Sequence, residues 1–173
     1  MLINIFDENL STNAQMHCDS HVNKLILESV QILCTVGHKH GVDMFYRPTH
    51  ENHPLVKWAE SSAGNMFFVM QYANKLYLEK LYRTGKYHKS GLLLIENIDK
   101  FITIATGLPE TIAKPDFSTF PKPKGYEELS LCESYRRYFC ERKSYLAKWT
   151  NRPAPDWFKS YYKKHEEDYP HAI

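Results

Sequence analysis

Between Leu55 and about Tyr82 the chain sets Trp58, Met66, Phe67, Phe68, Val69, Met70, Leu76 and Leu81 around most of the circumference of a helix. A helix that is apolar on nearly every side has to be surrounded, so the pattern predicts a helical bundle with this segment in its middle. Pro54 stands where the first turn would begin, a position where its missing N–H is harmless and its fixed φ is already helical. A second helix is expected from Ser11, with Thr12 and Gln15 at capping-box spacing. There Val22, Leu25, Ile26, Ser29, Leu33 and Val36 recur every three or four residues until Gly37. A third, from Ser90 to Thr106, puts Leu93, Leu94, Ile98, Phe101, Ile102 and Ala105 on its inner side and reaches Gly107, where a left-handed cap is expected. A fourth runs from about Glu127 to Trp149, with Leu131, Tyr135, Tyr138, Phe139 and Leu146 near one face.

The expectation is therefore a mainly α, single-domain bundle of about four helices spanning residues 1–173, a length that supports one core. Residues 2–6 alternate too briefly for a sheet and read as a short strand or extended arm within residues 1–10. His38 to His53 carries turn and cap residues without a period and reads as a loop. Pro109, Pro115, Pro121 and Pro123 make residues 108–126 a proline-rich loop, and residues 150–173 form a basic aromatic tail. Cys18, Cys34, Cys132 and Cys140 show no CxxC spacing and read as reduced thiols. The opening from Met1 to Asp7 lacks the flanks of a signal peptide, and no later stretch has the roughly 18 apolar residues of a membrane helix. A cytoplasmic protein without a membrane partner is expected. The formal net charge of +2 falls short of the footprint of a protein that holds nucleic acid by charge alone. Aromatic residues reach 14%, many beside Lys or Arg, which suits stacking on bases and equally suits a core rim.

At about 100° per residue, His17, His21, Lys24, Glu28, Gln31 and Thr35 fall on one polar strip opposite the apolar seam. Such a strip reads as a solvated face, with Lys24 and Glu28 as an i,i+4 pair, or as the floor of a site. His17 and His21, one turn apart, with His50 and His53 from the following loop, form a weak alternative metal quartet, although the HxxxH lacks the glutamate of the protease motif. Glu28 needs no metal to do chemistry. A glycosidic bond to a nucleobase breaks through a sugar of oxocarbenium character, which a nearby carboxylate stabilises.

Three blocks occur in an order that resembles the phage pyrimidine-dimer DNA glycosylase/AP lyase family, the endonuclease V type. They are Ile3-Asn4-Ile5 with Asp19-Ser20-His21-Val22 and Glu28; Pro48-Thr49 and His53 before the aromatic helix; and Arg152-Pro153 with Trp157-Phe158-Lys159 and Tyr161-Tyr162. The resemblance implies an all-helical enzyme that excises a damaged or modified pyrimidine from duplex DNA with the base flipped out, then cleaves at the abasic site without a cofactor. It implies the N-terminal α-amine, here on Met1, as nucleophile, a glutamate matching Glu28 as assistant, and a tail that grips DNA. His21 is grouped with these two as catalytic.

An α-amine suits attack because its reference pKa near 8 leaves about a tenth of it neutral at pH 7. Base extrusion costs a few kcal/mol, recovered through phosphate contacts and stacking. The residues expected at DNA are Lys24, Arg47, His53, Arg152, Trp157, Lys159, Tyr161 and Tyr162. Two other functions stay open: a non-catalytic phage-type protein that binds nucleic acid, a nucleotide or a host factor, and a base- or nucleotide-modifying enzyme.

Overall fold

The computed structural model describes residues 2–109 and 114–164. It is mainly helical, and the described residues contain no strand. Among the described residues eight α-helices replace the expected four: α1 Leu10–Met16, α2 Asp19–Lys39, α3 Pro54–Glu60, α4 Ala63–Thr84, α5 Lys89–Glu96, α6 Ile98–Thr106, α7 Leu131–Arg142 and α8 Asp156–Lys164. As its all-round apolar pattern predicts, α4 is central, touching α1, α2, α3, α5 and α6. One continuous core runs from Ile3 and Phe6 in the arm through Leu25, Leu33, Tyr72 and Phe101 to Phe139 and Phe158.

Three of the four expected helices divide, and at each break hydrogen bonds from a distant or a local side chain take up exposed backbone groups, while the fourth shortens to α7. The first ends at His17, whose backbone turns extended (φ −70°, ψ 139°). Its carbonyl accepts from Arg83 Nη1 (2.8 Å), the Gln15 carbonyl accepts from Arg83 Nη2 (2.9 Å), and the Asp19 N–H donates to the Lys148 carbonyl (2.8 Å). These bonds meet the needs of groups left without intrahelical partners at a helix end. The second divides at Ser62, which is extended at φ −156° and whose hydroxyl caps the Asn65 N–H at 3.2 Å. The third kinks at Asn97, whose side chain donates to the Leu93 carbonyl at 2.9 Å. That kink carries Ile98 and Ile102 outward to 36% and 40% exposure, against their expected place inside.

Two expected caps move as well. Asn9, not Thr12, starts α1, its side chain accepting from the N–H groups of Ser11 and Thr12 at 3.0 Å each. Gly107 is right-handed (φ −87°), whereas Gly85 at the end of α4 adopts the left-handed conformation (φ 65°). The proline-rich segment holds a 3-10 turn at Phe117–Thr119; residues 110–113 of it lie outside the described residues.

Residues 2–8 form an extended arm, as one of the two readings of this segment has it, with Ile3, Ile5 and Phe6 buried. A lone extended segment leaves its amides without a ladder, and Asn13 of α1 supplies one. Its Oδ1 accepts from Phe6 N–H (2.7 Å) and Asp7 N–H (3.3 Å), and its Nδ2 donates to the Asn4 carbonyl (3.3 Å). All four cysteines are free thiols, three of them buried. Among the described residues no helix is long and apolar enough to cross a membrane.

Candidate active site

The loop after α2 folds back along that helix. His38 Nε2 donates to the Tyr46 carbonyl (2.9 Å), and Thr49 N–H donates to Thr35 Oγ1 (3.2 Å), which itself donates to the Gln31 carbonyl (2.7 Å). Further along, His53 comes near enough to Glu28 for the carboxylate to oppose the lowering of its pKa. That lowering comes first from burial, with His50 adding to it. His53 also caps α3, its Nδ1 accepting from Leu55 N–H at 3.1 Å. The polar strip is therefore roofed, not solvated: Thr35 is fully buried, His21 is buried, and the Glu28 side chain is 14% exposed. Lys24 stands at the edge with 68% of its side chain exposed, and Arg47 is exposed on the loop.

At its other end the strip closes in a hydrogen-bonded knot. His17 lies in the turn before α2, not on that helix, and is fully buried. Its Nδ1 faces the Asn13 carbonyl at 2.7 Å, so this nitrogen carries the proton and Nε2 accepts from the Tyr72 hydroxyl at 3.0 Å. The same hydroxyl accepts from the Asn4 N–H at 3.2 Å. The Asn4 amide nitrogen, in turn, donates to His21 Nδ1 at 3.1 Å, leaving the other ring nitrogen of a neutral His21 as the protonated one. Burial, with the nearby His21 adding, pushes His17 down to about 3; burial, then Lys24 and Lys143, pushes His21 down to about 4. Both imidazoles are neutral at pH 7.

Glu28 sits between the knot and the loop, its charge acting on both Tyr72 and His53. One carboxylate oxygen meets Lys24 Nζ at 3.4 Å; the other is buried and has no hydrogen-bond partner among the described residues. Asn4 Oδ1, also buried, has none either. A buried acceptor without a donor costs free energy, so folds rarely keep one that serves only packing. Sequence reasoning assigns no functional role to Asn4, Tyr72 or Lys143, and the arm motif at Ile3-Asn4-Ile5 is the one signal in the chain that points toward any of them.

The strip residues and the tail residues do not form one cluster. Arg152 bonds both oxygens of Glu79 (Nε and Nη2, each 2.9 Å) and stacks 4.0 Å over the Tyr82 ring, so its charge is engaged inside the fold. Trp157 donates to Met16 Sδ at 3.4 Å and lies against Phe6 and Phe139. Tyr162 is buried and its hydroxyl donates to the Cys140 carbonyl at 2.9 Å, which leaves its ring no room to stack on a base. Half-buried Tyr161 reaches Glu141 at 3.5 Å, and exposed Lys159 pairs with Asp156 at 3.3 Å. Met1 lies outside the described residues.

The histidine quartet does not assemble. Both nitrogens of His17 are engaged, one nitrogen each of His21 and His53 is taken, and among the described residues no three His, Cys, Asp or Glu side chains converge as metal ligands. Comparison with models of known families, with curated proteins and with solved structures finds no match.

Proposed function

We propose that this chain is a DNA N-glycosylase that removes a damaged or modified pyrimidine, with Glu28 as the carboxylate that stabilises the cationic sugar. The observation that carries this reading is the buried oxygen of Glu28 that has no hydrogen-bond partner among the described residues, on a strip where Lys24 pairs with the other oxygen and Lys24 and Lys143 act on His21. A carboxylate partly removed from water acts more strongly on a charge developing nearby than one in bulk solvent. Lysines at the edge suit phosphates on either side of an everted nucleotide. His21, neutral and fixed by Asn4, orients the floor.

The α-amine of Met1 is the proposed nucleophile. Its nitrogen would bond to C1′ as the C1′–base bond breaks, the base leaving with the electron pair and taking up the proton that the amine loses. The C1′–O4′ bond of the resulting amino sugar would then open, O4′ taking a proton, to give the Schiff base from which strand cleavage follows. Incubation with oligonucleotides carrying thymine dimers or modified pyrimidines, with borohydride trapping, tests both halves. Wild-type protein should release base and form a trapped adduct. Glu28→Gln should slow release by roughly 10²–10³-fold, the loss typical of removing one electrostatic stabiliser. Absence of any released base across a broad panel would overturn the proposal.

A further inference from the structure

A groove of about 450 Å³ lies between α7 and α8, outside the Glu28 site. From α7 it is lined by Glu133, Arg136, Arg137 and Cys140, and from α8 by Trp157, Ser160, Tyr161 and Lys164. Both sets have i, i+3, i+4, i+7 spacing, which puts one continuous face of each helix on the groove. Three of these residues are cationic and one, Glu133, is a carboxylate; Asp7, 3.8 Å from Arg136 Nη2, and Glu141, bonded to Arg137, stand beside them and balance part of that positive charge.

The two guanidinium groups are held from behind. Arg136 donates through Nε to the Phe6 carbonyl at 2.8 Å, and Arg137 donates through Nε to Glu141 at 2.7 Å. An arginine has five N–H donors, so fixing each group through Nε leaves terminal donors in a set orientation. Their side chains are 34% and 49% exposed. Fixed guanidinium groups lose little freedom when they grip an anion, and their fork matches two phosphate oxygens. The Arg136 bond to Phe6 lies two residues along the arm from Asn4, which meets His21, so the groove adjoins the candidate active site.

The geometry points to this groove as the track for the phosphodiester backbone of the nucleic acid engaged at Glu28, with Arg136, Arg137, Ser160 and Lys164 as its contacts. This rests on nucleic acid being the partner, as proposed above. The groove reads no base, since its polar groups suit phosphate oxygens, and its contribution should be independent of sequence.

Binding of a short fluorescein-labelled duplex, followed by anisotropy over a range of KCl concentrations, tests it. The double variant Arg137→Glu/Lys164→Glu should bind at least roughly tenfold more weakly at low salt. Its log–log salt slope should be smaller by about two, because each phosphate contact contributes about 0.9. Base release at saturating DNA should stay within about twofold of wild type, because these residues position the strand and do not touch the reacting atoms. Ser160→Glu adds one charge to the exposed face of α8 without breaking either arginine contact, and should weaken binding in the same direction if the double variant unfolds.

Unchanged affinity and slope in both variants, with base release intact, would overturn the groove alone. No binding of duplex by wild-type protein would overturn both the groove and the nucleic-acid reading. Binding by Glu28→Gln with the wild-type slope, and base release slowed by roughly 10²–10³-fold, is the result expected if the two sites do separate jobs.

Discussion

Two glutamates on adjacent helices are both withdrawn from water, and their surroundings differ completely. Glu79, on α4, is 5% exposed and is held by Arg83 at 2.8 Å and by Arg152 through two bonds of 2.9 Å. Burial raises its pKa, but the hydrogen bonds from Arg152 and Arg83 outweigh that and hold it below the usual carboxylate range. Glu28, on α2, has one lysine at 3.4 Å and one oxygen with no partner among the described residues. A carboxylate whose lone pairs are filled by fixed arginines joins pieces of the fold. One left partly unfilled retains the capacity to act on something else, which is why the proposed chemistry is assigned to Glu28 and not to its better-buried counterpart.

The contrast breaks most sharply under substitution. Glu79→Ala strips Arg152 of its carboxylate and leaves Arg83, only 2% exposed, with Asp19 as its one remaining carboxylate among the described residues, and should cost about 3–5 kcal/mol in chemical denaturation. A cost under 1 kcal/mol would mean the ion cluster adds nothing. Acid acts next. His17 and His21 have folded pKa values of about 3 and about 4 against an ordinary 6.5, so the unfolded chain takes up protons first as pH falls. Stability should be fully present above about 6.5 and drop by roughly 1.4 kcal/mol per pH unit for each ring between there and about 4. A denaturation midpoint flat from pH 7 to pH 5 would contradict the neutral knot.

Tyr72→Phe removes the hydroxyl that joins the Asn4 N–H to His17 Nε2, and should destabilise by about 1–3 kcal/mol. Glu28→Gln should shift stability least, by less than about 1 kcal/mol, while slowing base release by roughly 10²–10³-fold. If it destabilised as much as Glu79→Ala, Glu28 would be a second structural carboxylate and the comparison would collapse.

How far the sequence reveals this arrangement depends on the range of the interactions. The all-helical class, the central position of α4, Pro54 in a first helical turn and the loop after α2 are legible because they follow from local periodicity and turn residues. His53 as a helix cap is legible for the same reason. The break at His17 is not, since no proline or glycine marks it and Arg83, 66 residues away, stabilises it. The polar strip has the right residues and, in the solvated reading, the wrong surroundings. Periodicity places Glu28 and Thr35 on a face but does not say that a loop covers that face. The tail misleads for a similar reason. Arg152, Trp157 and Tyr162 look like surface contacts by composition, and their partners, Glu79, Met16 and Cys140, lie 73, 141 and 22 residues away. Only the fold shows that these three hold the chain to itself.

The Asp19 carboxylate, which accepts from Arg83 at 2.9 Å, also accepts from the backbone N–H of Thr150 at 3.0 Å and from its hydroxyl at 2.7 Å. That contact spans 131 positions. During translation neither it nor the Arg152 latch on Glu79 can form until Thr150 and Arg152 have left the ribosome. A nascent chain interrupted before that point would hold two carboxylates, Asp19 and Glu79, prepared for partners not yet synthesised.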